Sequence, residues 1–245
     1  MGPTLFLSDL HLAQGRDAET AAFRAFVRGP ARRAAAVYIL GDLFDAWIGD
    51  DQVRERYYRD IADALKGVTN AGVPLYFAHG NRDFMVGDAF LRSIGASLLA
   101  EQTVIEVDGR RALVSHGDEL CTDDVGYQRF KRRSRSADWK RRMLRLPYLL
   151  RGGLALYYRL GSRVLTRHKS AMIMDVNAQA VADAFRRFDV DLMIHGHTHR
   201  PARHHYTIDG VPRERIVLAD WVGGGHYLEA KEGRLEPHDV SPASA

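Results

Sequence analysis

The sequence predicts an α/β fold whose functional residues stand on the loops that follow its strands. Three observations lead there. Short apolar runs alternate with helix-like stretches, and polar clusters rich in Asp, His and Gly follow the runs directly. The composition, 46% hydrophobic and 27% charged over 245 residues, is that of a globular chain long enough to bury a sizeable core. In order, the strand candidates are residues 4–8, 37–40, 74–78, 112–115, 192–194 and 216–219, each a short apolar run of the kind buried strands show. Between them lie helical stretches over residues 17–28, 52–71, 86–94 and 171–188. Residues 125–169 break that rhythm. They offer no strand candidate and read as two or three helices, punctuated by Pro147 and by Gly152 and Gly153. We expect one domain over 1–245, with 125–169 inserted into it as a basic helical lid, and a frayed tail after Pro237.

Charge is spread unevenly. Between Arg129 and Lys169 there are 14 Lys/Arg against one acid, Asp138, a local excess of +13; with a net charge of +4, the remainder carries −9. Such a block suggests either a solvated helical face or an anionic partner, whether phosphates, nucleic acid or an anionic membrane. No run approaches the ~18–20 apolar residues that would span a bilayer. The first residues lack the basic and apolar regions of a secretory signal. The single cysteine, Cys121, excludes an intrachain disulfide and a cysteine-built zinc site, and a reducing compartment is expected.

Five polar clusters stand after strand candidates: Asp9-Leu10-His11, Gly41-Asp42 through Asp45, Gly80-Asn81-Arg82-Asp83, His116-Gly117-Asp118 and Gly196-His197-Thr198-His199. Strand C-terminal ends are where open α/β sheets place ligand sites. Asp9 and His11 are spaced i, i+2, as are His197 and His199, so in extended backbone each pair would point the same way. Imidazole together with carboxylate and one amide favours a first-row divalent ion over calcium. Any one cluster is weak, since an Asp-x-His is commonly a turn and Gly-Asp commonly a helix start. Five of them, each after a strand, are hard to obtain by accident.

With these motifs the sequence resembles the calcineurin-like metallophosphoesterases, whose signature runs Asp-x-His, Gly-Asp, Gly-Asn-His-Asp/Glu, His and Gly-His-x-His. The resemblance implies an α/β/β/α sandwich with a two-metal site. Matched residue by residue, Asp9, His11, Asp42 and His199 would hold one ion, and Asp42, Asn81, His116 and His197 the other. Longer stretches (residues 38–51, 79–84, 116–124, 171–177 and 195–201) resemble the UDP-2,3-diacylglucosamine pyrophosphohydrolase family of lipid A biosynthesis over nearly the whole chain, the insertion included. That resemblance implies cleavage of UDP-2,3-diacylglucosamine to UMP and 2,3-diacylglucosamine 1-phosphate. It also implies two Mn(II) ions per chain and a peripheral place on the cytoplasmic face of the bacterial inner membrane. A monomer is expected, with the anionic membrane surface as partner and no nucleic acid.

By the same resemblance, Asn81, Arg82, Asp124, Tyr127, Ser162, Thr166, Lys169 and His197 would contact substrate, with Arg82 and Asp42 in the catalytic machinery. Thr166 stands where a relative carries Asn. Arg82 departs from the superfamily, which has His there to assist the leaving group. A sugar 1-phosphate leaves as a stable anion, so a guanidinium that neutralises the diphosphate is more useful than a proton donor. The plain alternative is an ion pair between Arg82 and Asp83. His195 is expected to support the ligands or face the substrate rather than bind an ion, and the other histidines receive no role. A generic metallophosphoesterase of the same superfamily, whether a nucleotide-sugar diphosphatase or a nuclease, and a noncatalytic scaffold are the rival readings; the seven filled ligand positions count against the scaffold.

Overall fold

A computed structural model describes residues 2–167 and 175–240, with side chains described at 2–158 and 175–240. The chain runs β1 (Thr4–Leu7), α1 (Asp17–Arg28), β2 (Ala36–Leu40), α2 (Arg56–Asn70), β3 (Leu75–Ala78), α3 (Asp88–Ile94), β4 (Ala96–Leu98), β5 (Gln102–Val107) and β6 (Arg110–Ser115). Three helices follow, α4 (Val125–Ser134), α5 (Ala137–Leu144) and α6 (Tyr148–Arg167). The rest is α7 (Ala178–Phe188), β7 (Leu192–His195), β8 (Ala202–Ile208), β9 (Val211–Val217), β10 (Gly225–Lys231) and β11 (Arg234–Val240).

The strands form two sheets, one ordered β11-β10-β1-β2-β3-β4 and the other β5-β6-β7-β9-β8. Strands β1 to β4 are parallel, as are β6, β7 and β9. Alternation of side chains sorts the apolar runs into layers. Leu5, Leu7, Val37, Ile39, Leu75 and Phe77 face one core, shared with Phe23 and Phe26 of α1, Leu65 of α2 and Phe90 of α3. Their alternates Phe6, Tyr38, Leu40 and Ala78 meet Ala112, Val114, Leu192, Ile194 and Ile216 between the sheets. Leu113 and Met193 face outward to Val181 and Phe185 of α7. Helix, sheet, sheet, helix is the expected α/β/β/α order, and it explains why the central strands read as unbroken apolar runs.

Several expectations need correction. Helix α2 begins at Arg56, after a separate 3-10 turn over Asp50–Arg54, rather than at residue 52. The α7 helix starts at Ala178, where the Asn177 carboxamide oxygen accepts from the Ala180 N–H (3.0 Å); the predicted start at 171 lies outside the described residues. Gly152 and Gly153 do not break the insertion but lie inside α6. A Cβ at Gly152 would stand 3.8 Å from Ile48, an ordinary van der Waals contact. The tail is not frayed up to Val240: β11 pairs with β10 from Lys231↔Arg234 to Gly225↔Val240.

Part of the basic insertion also faces inward. Lys131 is 6% exposed and bonds Asp118 (2.9 Å) and Glu101 (2.5 Å), while Arg135 donates to Asp118 (2.7 Å) and to the Gly80 carbonyl (3.1 Å). Arg151, 5% exposed, donates to the Ile48 carbonyl (2.7 Å) and pairs with Asp51. Arg129, Arg132, Arg133, Arg141, Arg142 and Arg145 are exposed. Among the described residues, no helix is long and apolar enough to cross a membrane.

Leu235 of β11 is buried between the sheets. Leu235→Ala is therefore expected to cost about 2–4 kcal/mol in urea denaturation, where a β11 detached from the sheet would leave stability unchanged.

Candidate metal centre

All five polar clusters emerge from the C-terminal ends of parallel strands, β1, β2, β3, β6 and β7, and meet at one edge of the sandwich. The backbone there is not extended, as the i, i+2 argument assumed. Asp9 (φ 57°), His11 (48°), Asp42 (53°), His197 (69°) and His199 (52°) all adopt left-handed conformations. The loops after β1 and β2 lie side by side, with Asp9 N–H donating to Gly41 O (3.1 Å), His11 N–H to Asp42 O (2.9 Å) and Leu12 N–H to Leu43 O (2.9 Å). Such φ values are costly for side-chain-bearing residues and collect where a site over-determines the chain.

The side chains converge in two groups. Asp9 Oδ1 lies 3.2 Å from His199 Nε2 and 4.0 Å from His11 Nε2, and the two imidazole Nε2 atoms are 3.4 Å apart. On the other side, Asn81 Oδ1 is 2.9 Å from His116 Nε2 and 3.0 Å from His197 Nδ1. Asp42 stands between them, with Oδ2 at 3.8 Å from His11 and Oδ1 at 3.8 Å from His116. Donor atoms of Asp9, His11 and His199 fall within 4.8 Å of one another, as do those of Asp9, Asp42 and His116. Asp9 thus faces both groups, which motif matching alone did not anticipate.

These residues fit divalent metal ions. Asp9 Oδ1 and His11 Nδ1 are buried and, apart from the approach of His199 to Asp9 Oδ1, find no hydrogen-bond partner among the described residues. Burial pushes Asp42 up to about 7, with Asp83 and Asp9 adding to the effect against the pull of His116. Burial would raise Asp9 as well, but His199 and His116 outweigh it and hold that carboxyl low. His116 is driven up to about 9 against its burial by Asp42, Asp9 and Asp118. Carboxylates crowded in this way call for positive charge, which first-row divalent cations with mixed O/N ligation supply.

Residues that aim the ligands were not legible as such. Ser8 Oγ (2.6 Å) and His197 N–H (2.9 Å) both donate to Asp9 Oδ2. The buried Asp83 carboxylate accepts from the N–H groups of Gly80 (2.9 Å), Asp42 (3.3 Å), Leu43 (2.8 Å) and Phe44 (3.4 Å). Asp83 is therefore occupied by backbone and is not the ion-pair partner of Arg82. His116 Nδ1 is 2.9 Å from Leu40 O, and His199 Nδ1 is 3.1 Å from Asp220 Oδ2. Asp220 follows β9 with no motif around it to mark it.

Of the expected substrate contacts, Asn81 and His197 lie in the cluster, 3.0 Å apart, and Tyr127 stands beside them. Arg82 makes no ion pair among the described residues and lines a cleft of about 400 Å³ with His11, Gln14, Arg16 and His199. Tyr127 lies 6.2 Å from His197, ring to ring, with its hydroxyl bound to the Asp118 carboxylate. Asp124 caps α4 by accepting from Tyr127 N–H (3.0 Å). Ser162 and Thr166 lie on α6 with side chains beyond those described, and Lys169 lies outside the described residues.

Fold and cluster together define a metal-dependent phosphoesterase. A family model, calcineurin-like phosphoesterase, matches residues 2–201, and the chain belongs to that family. Curated relatives narrow the assignment. A UDP-2,3-diacylglucosamine hydrolase of Klebsiella pneumoniae subsp. pneumoniae is 47% identical, covering 97% of this chain and 96% of its own. One from Aeromonas hydrophila subsp. hydrophila is 48% identical over 96% and 98%, and one from Proteus mirabilis 46% identical over 95% and 97%. Within the phosphoesterases, the chain therefore belongs with the UDP-2,3-diacylglucosamine hydrolases.

A Cβ at Gly80 would stand 2.0 Å from Asp42 Oδ1 and 2.3 Å from its backbone nitrogen. Gly80→Ala is expected to displace Asp42 and weaken Mn(II) binding at least tenfold by titration calorimetry.

Proposed function

We propose that the chain hydrolyses the pyrophosphate of UDP-2,3-diacylglucosamine to UMP and 2,3-diacylglucosamine 1-phosphate, a step of lipid A biosynthesis. The observation that carries this reading is the buried carboxylate, imidazole and amide cluster, walled by helix α4 of an insertion whose apolar side chains are exposed. Leu149 is 84% exposed, Tyr157 72% and Leu150 58%. Two Mn(II) ions are assigned, one to Asp9, His11, Asp42 and His199, the other to Asp42, Asn81, His116 and His197. When bound, such ions supply Lewis acidity and bring a water's pKa toward neutrality.

The chain's own residues do the rest. Arg82, which forms no ion pair among the described residues although Asp45 lines the same cleft, neutralises the diphosphate as charge builds on the uridine-linked phosphorus under attack. The departing sugar phosphate needs no proton donor, so a guanidinium can stand where the superfamily has His. Asn81 and His197 face both metal and substrate, and Tyr127 flanks His197 from α4. The cleft lined by Gln14, Arg16, Asp45 and Arg82 is assigned to the uridine half. The 125–169 lid, with Asp124, Ser162, Thr166 and Lys169, takes the glucosamine and its acyl chains. Exposed Arg141, Arg142 and Arg145 meet the anionic cytoplasmic face of the inner membrane, where the protein acts as a peripheral monomer.

The test is UMP release from the diacylated substrate beside a single-stranded DNA control. Chelation is expected to abolish release, and Mn(II) to restore it better than Mg(II), because imidazole-rich sites disfavour magnesium. A UDP-glucosamine lacking both acyl chains is expected to be a very poor substrate, since each buried methylene contributes about 0.8 kcal/mol. Cleavage of DNA without UMP release would establish the nuclease reading. Inactivity on both with Mn(II) would leave a scaffold.

Arg82→Ala is expected to lower turnover about a hundredfold, the scale of losing a transition-state donor. Arg132→Ala, on the exposed face of α4, should change turnover less than about twofold, because its charge is screened.

A further inference from the structure

Arg215 of β9 is 4% exposed and forms no ion pair among the described residues. Two positions earlier on the same strand, Arg213 reaches Asp191 at 2.7 Å. Arg215 instead donates through Nε to the Tyr206 hydroxyl (2.9 Å) and places Nη1 3.0 Å from Nε2 of the fully buried His195. A guanidinium has only donors, so His195 Nε2 must accept and carries no proton. The ring proton is then on Nδ1, which lies 2.9 Å from the Gly196 carbonyl and donates to it.

That carbonyl belongs to the peptide linking Gly196 to His197. On its two sides, Gly196 N–H donates to His116 O (3.0 Å) and His197 N–H to Asp9 Oδ2 (2.9 Å). The packing leaves no slack. A Cβ at Gly196 would stand 2.0 Å from Ser8 Oγ, and one at Gly117 would stand 2.5 Å from His195 Nδ1. The imidazole is thus wedged between the loops that carry His116 and His197. A buried cation without a carboxylate is costly, and an apolar residue of similar length would serve packing alone at least as well.

We propose that Arg215 is a positioning residue for the metal centre: by fixing His195 as the Nδ1-protonated tautomer, it pins the Gly196 carbonyl and aims His197 and His199. The inference rests on the metal-centre reading above and is independent of the substrate's identity. It is a property of backbone placement, so its effect is read in metal affinity.

The experiment titrates Mn(II) into metal-free wild type, Arg215→Met and Arg215→Lys by calorimetry, with thermal unfolding of each. Arg215→Met is expected to bind Mn(II) roughly ten- to a hundredfold more weakly, with a Tm no lower than wild type, because an uncompensated buried charge has gone. Arg215→Lys keeps one donor and should fall between the two. In long-range 1H–15N spectra of metal-free protein, wild-type His195 should carry its proton on Nδ1. Equal Mn(II) affinity in wild type and Arg215→Met would overturn the proposal, as would a wild-type His195 protonated on Nε2, a result that does not depend on any variant folding. Absence of Mn(II) binding by wild type would instead overturn the metal-centre reading, and the two failures are distinguishable.

Discussion

Asp9 and Asp42 lie buried beside each other, each 1% exposed, and the rest of the centre answers to that crowding of carboxylates. Two neighbouring carboxylates in low dielectric cannot both ionise without positive charge nearby. Asp42 is accordingly pushed up to about 7 by its burial, and His116 is drawn up to about 9 by Asp42, Asp9 and Asp118 despite its own burial. Such a cluster survives only where surrounding groups are too rigid to let the charges separate. The sandwich provides that rigidity, because every loop in the cluster leaves a strand buried on both faces by Leu, Ile, Val and Phe.

Rigidity has a local cost that falls on the same residues. The left-handed φ values of Asp9, His11, Asp42, His197 and His199 each cost roughly 1–2 kcal/mol relative to ordinary backbone. Asp83 offsets part of this by gathering four backbone N–H groups around one carboxylate, and Leu40 offers its carbonyl to His116. Glycines at 41, 80, 117 and 196 clear the space, since a Cβ at any of them would collide with the centre or with His195. The glycines in the motifs therefore mark crowding of one loop by another as much as freedom of the chain.

This division also explains what the sequence revealed. Ligand candidates were legible because five Asp, His and Asn clusters each follow an apolar run, and both features are local. Groups that steer them were not. Asp83 sits inside a motif yet reads as a partner for its neighbour Arg82, because nothing in a linear pattern says that its carboxylate turns to residues 42–44. Asp220, Arg215 and Tyr206 are distant in sequence and sit in unremarkable contexts. Strands β8, β10 and β11 escaped for another reason. They lie at or near sheet edges with solvent on one side, so runs such as Ala202–Ile208 are filled with Arg, His and Tyr and lack a continuous apolar signal.

The insertion shows how composition can mislead about direction. Its excess of +13 suggests a face turned wholly to an anionic partner, yet Lys131, Arg135 and Arg151 point into the body. Near one end, Asp118 collects Tyr127, Lys131 and Arg135, and Arg135 also grips the Gly80 carbonyl beside Asn81. Near the other, Arg151 engages Asp51 and the Ile48 carbonyl. Removing one partner from a buried pair costs about 3–5 kcal/mol, so these attachments resist opening. Helices α4 and α5 and the first turns of α6 thus form a wall anchored to the body. Leu149, Leu150 and Tyr157 stay exposed on that wall because its anchors, not its apolar side chains, hold it down. An apolar ligand meeting such a surface finds it already ordered, and more of its burial energy remains available for orienting the reacting end.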